Sequence, residues 1–140
     1  VLMNIEATEG WRPDVVYVDY LDEMTLPAGS QIKGDDSYNK FGQIASDLLS
    51  IAVDFHCPLW SASQVNRAGY NQEPCFETIG RSMQKIDKAE FVVTIIQSEA
   101  QKKQNKMQLK ILKNRRGPGR GLYIPCVADL TRATISETSA

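Results

Sequence analysis

No uninterrupted apolar stretch in the 140 residues approaches the roughly 18 to 20 needed to cross a membrane, and no basic, apolar, small-residue leader pattern opens the chain. A membrane partner is therefore not expected, and the cytoplasm is the expected location. Cysteine is scarce: Cys57, Cys75 and Cys126 stand far apart without CxxC spacing, and the single histidine, His56, merely adjoins Cys57. That pattern argues against a zinc site or a disulfide scaffold. Excess charge of one sign is also missing, since the net charge is −1. The near-neutral total conceals a split, however. Residues 1–64 carry ten acidic against three basic side chains, and residues 65–140 carry seven against thirteen. Eight of those thirteen fall between Ala100 and Ala128, where there is no acid at all. A one-sided basic stretch fits a polyanion such as phosphate or nucleic acid, with a solvated basic face as the plain alternative.

Length and a hydrophobic content of 42% fit one globular domain able to bury a core, and the order of strands and helices along the chain makes it α/β. The first residue is not methionine, and the chain reads as beginning within that domain. Val15 to Val18 form an apolar run without polar alternation, the mark of an interior strand of a parallel sheet. Thr25 to Ser37, with a proline and two glycines, reads as a long loop. From Tyr38 the apolar positions Phe41, Ile44, Ala45, Leu48, Leu49, Ala52 and Phe55 step by three and four, which predicts a helix capped by Asp36 or Ser37. Cys57 to Ser63 reads as the next strand, closing a strand–helix–strand unit of right-handed sense. Beyond an irregular segment from Asn66, a short helix is expected over Glu77 to Ile86, then a buried strand over Phe91 to Ile96. Met107, Leu109 and Ile111 alternate with polar residues, and "RRGPGRG" (Arg115 to Gly121) turns the chain into a hairpin closed by Leu122 to Val127. The tail from Ser136 reads as frayed.

Three places carry candidate chemistry. Asp19 follows the first strand, where a carboxylate can hold magnesium through water beside nucleotide phosphates; alone, it is as readily a turn residue. In "LWSASQVNR" (Leu59 to Arg67) a second strand ends in small residues followed by Gln64, whose amide would project at the same edge. Lys113 and Arg115, two apart in "KILKNRRGPG", form a cation pair suited to charge developing in phosphoryl transfer. Otherwise they are an ordinary hairpin tip.

In order and spacing, "VVYVDYL", "LWSASQVNR", "TIGRSMQKIDKAEFVVTI" and "LKILKNRRGPG" resemble the carboxyl-terminal motor domain of DnaB-type replicative DNA helicases, including the phage versions. The resemblance runs from about Pro13 to Val127. It implies a RecA-like P-loop NTPase core: a mainly parallel twisted sheet, helices on both faces, and a carboxyl-terminal antiparallel hairpin, with residues 1–140 as the carboxyl-terminal part of one motor domain. ATP and Mg2+ are the implied cofactors. Asp19 would be the Walker B carboxylate on the magnesium shell. Gln64 would sense the γ-phosphate, and Lys113 and Arg115 would reach in trans into a neighbouring subunit's nucleotide. Lys33, Arg81 and Lys85 would lie on loops facing single-stranded DNA, where basic side chains bind phosphate without reading sequence. The implied partners are single-stranded DNA, further copies of the chain in a ring, expected to be a hexamer, and a primase or loader. For a phage protein the location would be the host cytoplasm.

The sequence departs from that family at one point. Nothing matches GxxxxGK[ST], and the glycines at 117, 119 and 121 lie in a hairpin with no helix after it. Neither the P-loop nor the family's catalytic glutamate is assigned in these residues, and Asp22 and Glu23 are read as loop residues. Enzymatic turnover is accordingly expected of a longer parent protein rather than of this chain alone. A RecA- or KaiC-like ATPase or recombinase is the alternative among enzymes. A non-catalytic DNA-binding or assembly module is the alternative outside them.

Overall fold

The structure, a computed structural model, describes residues 2–30, 37–64 and 83–138. The chain divides into two compact units: Val1–Arg67 with Ile79–Ala89, and Ala68–Thr78 with Glu90–Ala140.

The first unit holds α1 (Leu2–Glu9), β1 (Val16–Val18), α2 (Ser37–Asp54), β2 (Leu59–Ser61) and α3 (Met83–Lys88), with a 3-10 turn over Leu21–Glu23. The strand–helix–strand unit expected from the sequence is present: β1 and β2 pair in parallel, Val16 opposite Leu59 and Val18 opposite Ser61. The apolar face of α2 explains the packing. Ile44, Ala45 and Leu48 are buried with Leu21, and Val18, Met24, Phe41, Ile51 and Leu59 close around them. Each of the buried leucine and isoleucine side chains contributes on the order of 1.5 to 3 kcal/mol before the entropy of ordering is set against it.

His56 has a simple role here. It takes a left-handed backbone at φ 51° just past α2. Its N–H bonds to the Val53 carbonyl at 3.1 Å, and the Cys57 N–H bonds to that of Ala52 at 3.1 Å. This is a Schellman ending, which satisfies two orphan carbonyls and turns the chain into β2. At Gly42 on α2 a β-carbon would collide with the side chain of Gln84 on α3.

The second unit is an antiparallel meander in the order β3 (Phe91–Ile96), β4 (Lys106–Asn114), β5 (Tyr123–Asp129), β6 (Thr134–Glu137), with α4 (Glu99–Lys103) between β3 and β4. Met107, Cys126 and Ala128 form its buried cluster, with Leu109 and Ile124 packed against them. A bulge interrupts the β3–β4 pairing. Val93 faces Ile111 and Val92 faces Lys113, so Leu112 is an extra residue on β4. The hairpin expected at "RRGPGRG" joins β4 to β5. Asn114 Nδ2 donates to the Pro118 carbonyl at 2.9 Å and Leu122 N–H to that of Gly119 at 2.9 Å.

Several elements differ from the sequence reading. The β1 run, expected to be covered on both faces, leaves Tyr17 75% exposed, and β3 leaves Ile95 62% exposed while burying Thr94. Unalternating apolar runs signal burial on two sides only when other elements cover both faces of the sheet, as around the interior strands of a parallel sheet. Here β1 pairs with β2 alone among the described residues, and β3 belongs to an antiparallel sheet. Three further elements were not expected. One is α1. Another is α4, whose start is fixed by a capping box in which Ser98 Oγ accepts from the Gln101 N–H and the Gln101 side chain accepts from that of Ser98. The third is β6, which occupies part of the tail expected to be frayed. The helix expected over Glu77 to Ile86 falls partly outside the described residues, and α3 extends past its expected end to Lys88.

Candidate functional site

Because β1 and β2 run in parallel and in register, the residues that follow them emerge at one edge. Asp19 and Gln64 are therefore brought to the same side, as their spacing from the two strands implied. Hydrogen bonds stitch this edge together. Ser61 Oγ donates to the Val18 carbonyl at 3.0 Å and accepts from the Leu21 N–H at 2.9 Å, tying the end of β2 to the turn after β1. The Asp19–Tyr20 peptide is cis.

Two acidic side chains of this edge have opposite settings. Asp22 is fully engaged: Oδ2 accepts from the Gln64 backbone N–H at 3.0 Å, and Oδ1 takes the ammonium of Lys85. Asp19 is exposed, and its carboxylate makes no hydrogen bond or ion pair among the described residues. No group of three potential ligands that could hold a metal ion occurs among those residues either. A single available carboxylate suits magnesium, which keeps most of its waters and needs only one or two carboxylates beside substrate phosphates. Asp19 fits that requirement and Asp22 does not.

Gln64 is held twice, by its backbone on Asp22 and by its side chain on Tyr20, where Nε2 donates to the phenol oxygen at 2.9 Å. The phenol in turn donates to Glu23 Oε1 at 3.0 Å. That bond to Glu23, with burial and the charges of Glu23, Asp22 and Asp19, raises the Tyr20 pKa above the ordinary tyrosine value. Tyr20 thus stays a neutral phenol between a carboxamide and a carboxylate. The sequence does not single out Tyr20 and leaves Asp22 and Glu23 as loop residues, since nothing in the spacing of Tyr20 and Asp22 announces a shared partner, Gln64, more than forty residues away.

Lys85 departs from its expected setting on a DNA-facing loop. It lies in α3 and is buried, with Nζ on Asp22, 3.1 Å from Ser63 Oγ and 3.9 Å from the centroid of the Phe41 ring. The amphipathic stem reaches inward because a carboxylate and an aromatic face await the ammonium there. Lys33 and Arg81, the other two residues assigned to DNA, lie outside the described residues.

Lys113 and Arg115 belong to the second unit, at the end of β4. Arg115 N–H bonds to the Glu90 carbonyl at 3.0 Å, and its guanidinium meets Glu90 Oε1 at 3.1 Å. Arg116 Nε meets Oε2 of the same carboxylate at 3.2 Å. The hydrogen bond from Arg116 lowers the Glu90 pKa most, partial burial opposes it, and Arg115 lowers it further. Glu90, which sequence reasoning did not single out, is thus shared by two arginines.

A family model described as the DnaB-like helicase C terminal domain matches residues 5–132. The chain belongs to that family. Over 118 residues it is 24% identical to a DnaB-like replicative helicase of Enterobacteria phage T4, covering 84% of this chain and 25% of that protein. Among solved structures it is similar to one described as an ATPase domain, with a TM-score of 0.79, 19% identity, and coverage of 99% of this chain and 50% of that one. It is also similar to a DnaB-like replicative helicase whose structure was described with its interactions with primase, at TM-score 0.73, 20% identity, and coverage of 92% and 32%. These likenesses establish the RecA-like ATPase fold for a DnaB-type carboxyl-terminal domain. The chain spans a quarter of the length of the phage relative. No helix among the described residues is long and apolar enough to cross a membrane.

Proposed function

We propose that the chain is part of the motor of a replicative ring helicase, which moves on single-stranded DNA by hydrolysing ATP at subunit interfaces. The observation that carries this reading is the shared edge of β1 and β2, where Asp19 is left available beside a Gln64 held on Asp22 and Tyr20. With ATP and Mg2+ bound, the metal would supply charge neutralisation to the phosphates. Asp19 would hold a water of the magnesium shell. Gln64 would meet the terminal phosphate, and Lys113 and Arg115 would serve a neighbouring copy's nucleotide. No phosphate cradle or catalytic base is assigned among these 140 residues, and Lys33 and Arg81 would lie on DNA-facing loops. Lys85 enters as a residue that supports the edge from within. A hexameric ring and a primase partner belong to the same proposal; the second similar structure, described with its interactions with primase, supports that partner in kind.

Two measurements test the reading. The purified 140-residue chain should show no magnesium-dependent ATP turnover, whereas the full-length gene product should hydrolyse ATP and unwind DNA. Binding of that product to single-stranded DNA should weaken steeply with salt, and Lys33→Ala or Arg81→Ala should flatten the log–log slope by about 0.7 for each phosphate that the variant leaves unneutralised. Filaments on DNA in place of rings would favour the recombinase alternative, and salt-sensitive binding without turnover a non-catalytic module.

A further inference from the structure

Lys85 raises a question that the motor assignment does not answer. An ammonium is costly to bury, and this one has 8% of its side chain exposed, against 21% for its partner Asp22. The three groups around it come from three segments of the first unit. Asp22 lies in the turn after β1, Ser63 in the segment after β2, and Phe41 on α2. Ser63 is the residue immediately before Gln64, and the other oxygen of Asp22 holds the Gln64 N–H.

We propose that Lys85 is a positioning residue for Gln64, and that the Lys85–Asp22–Gln64 chain of contacts links α3 to the edge where the nucleotide would bind. One carboxylate has two oxygens in fixed relation, so moving the ammonium on Oδ1 moves the acceptor of the Gln64 amide on Oδ2. Ser63 makes a second connection to the same loop. Any displacement of α3 therefore reaches the sensing glutamine through two short routes, and any displacement of Gln64 reaches α3. The side-chain amide is steadied separately by Tyr20, so the backbone can shift while the carboxamide keeps a partner. The inference deepens the motor reading and rests on it for the meaning of Gln64, but the contacts themselves are a property of this chain.

The test uses amide hydrogen exchange and 15N chemical shifts of the 140-residue chain. Lys85→Met retains the stem over Phe41 and removes the charge. It should speed exchange at the Gln64 amide about tenfold or more and shift its resonance, while leaving the amides of Gln43 and Asp47 on α2 unchanged. Lys85→Arg should restore most of the protection, which a purely space-filling role would not require. Reciprocally, Gln64→Ala should shift the α3 amides of Lys85 and Ile86. Where Lys85→Met fails to fold, Asp22→Asn decides: it keeps an oxygen for Gln64 but loses the charge for Lys85, and should reproduce the same exchange pattern. An unchanged Gln64 amide in the folded variants overturns the proposal. Undiminished ATP turnover of the full-length gene product carrying Gln64→Ala overturns the sensing role instead, and leaves the linkage to be judged on exchange alone.

Discussion

Two carboxylates, Asp22 and Glu90, each hold cations beside the end of a strand, and they do so under opposite conditions. Asp22 meets a buried lysine and a backbone amide. Glu90 meets two arginines whose side chains are 50% and 86% exposed. Water competes for the second set and hardly reaches the ammonium of the first. Exposed pairs of this kind form and separate at little cost, while a buried ammonium cannot leave its partner without remaining desolvated. The first arrangement therefore suits a fixed frame. The second suits a side chain that must exchange its partner for a phosphate, as a cation serving a neighbouring nucleotide would.

The contrast can be broken most severely at the shared edge of β1 and β2, where the proposed function sets the nucleotide. Asp19→Asn in the full-length gene product should lower ATP turnover at least about a hundredfold, as loss of a principal electrostatic group does, with no change in melting temperature, since Asp19 makes no hydrogen bond among the described residues. Matched kinetics and calorimetry check this, and a stability loss without a kinetic one would reverse the roles given to Asp19 and Asp22.

Next in size is stability. Asp22→Ala leaves the Lys85 ammonium buried without its carboxylate and should destabilise the first unit by about 3 kcal/mol in urea unfolding. Glu90→Ala, which breaks only exposed pairs, should move the urea midpoint far less.

The pH response sharpens the comparison further. The folded-state pKa of Glu90 is lowered, so the stabilisation it gives is present above the unfolded-state pKa and is lost as pH falls through the folded value. The carboxyl 13C shift of Glu90 should accordingly titrate below that of an ordinary glutamate, and Arg116→Ala should move it back upward more than Arg115→Ala does.

The smallest effect is at Tyr20. Its folded-state pKa is raised, so its contribution is complete below the unfolded-state value and is lost as pH climbs through the folded one. Phenol 13C titration should show Tyr20 ionising later than a free tyrosine, and Glu23→Gln should bring it back toward the ordinary value.

Local pattern was legible where chemistry is local. The i, i+3, i+4 spacing of Phe41, Ile44 and Leu48 foretold α2 and its buried face, and strand-then-carboxylate foretold where Asp19 emerges. The motif order led to the correct family. Burial was less legible, because an apolar run such as Val15 to Val18 does not state what covers it. Long-range pairings were least legible. Asp22 finds Lys85 sixty-three residues later, and Arg115 finds Glu90 twenty-five residues earlier. No window of sequence contains both ends of either pair. A lysine near a motif is expected on the surface because most are, and only the fold reveals a carboxylate and a ring waiting inside for this one.

Leu112, the extra residue of the β4 bulge, decides which side chains meet further along the strand. Without the bulge, Leu112 itself would face Val92, strict pairing would set Phe91 against Lys113 and Glu90 against Asn114, and Arg115 would stand one place beyond the carboxylate. With it, Phe91 pairs with Asn114, and the next step along both strands brings Glu90 and Arg115 into line, as their backbone bond records. A single inserted residue changes the parity of everything downstream on its strand. The partner of Arg115 is thus set three residues away, where a leucine with no charge of its own is left out of the ladder. Deleting Leu112 would remove the bulge and keep Glu90 in line with Arg115, whereas drawing Leu112 into the ladder would hand Glu90 to an asparagine.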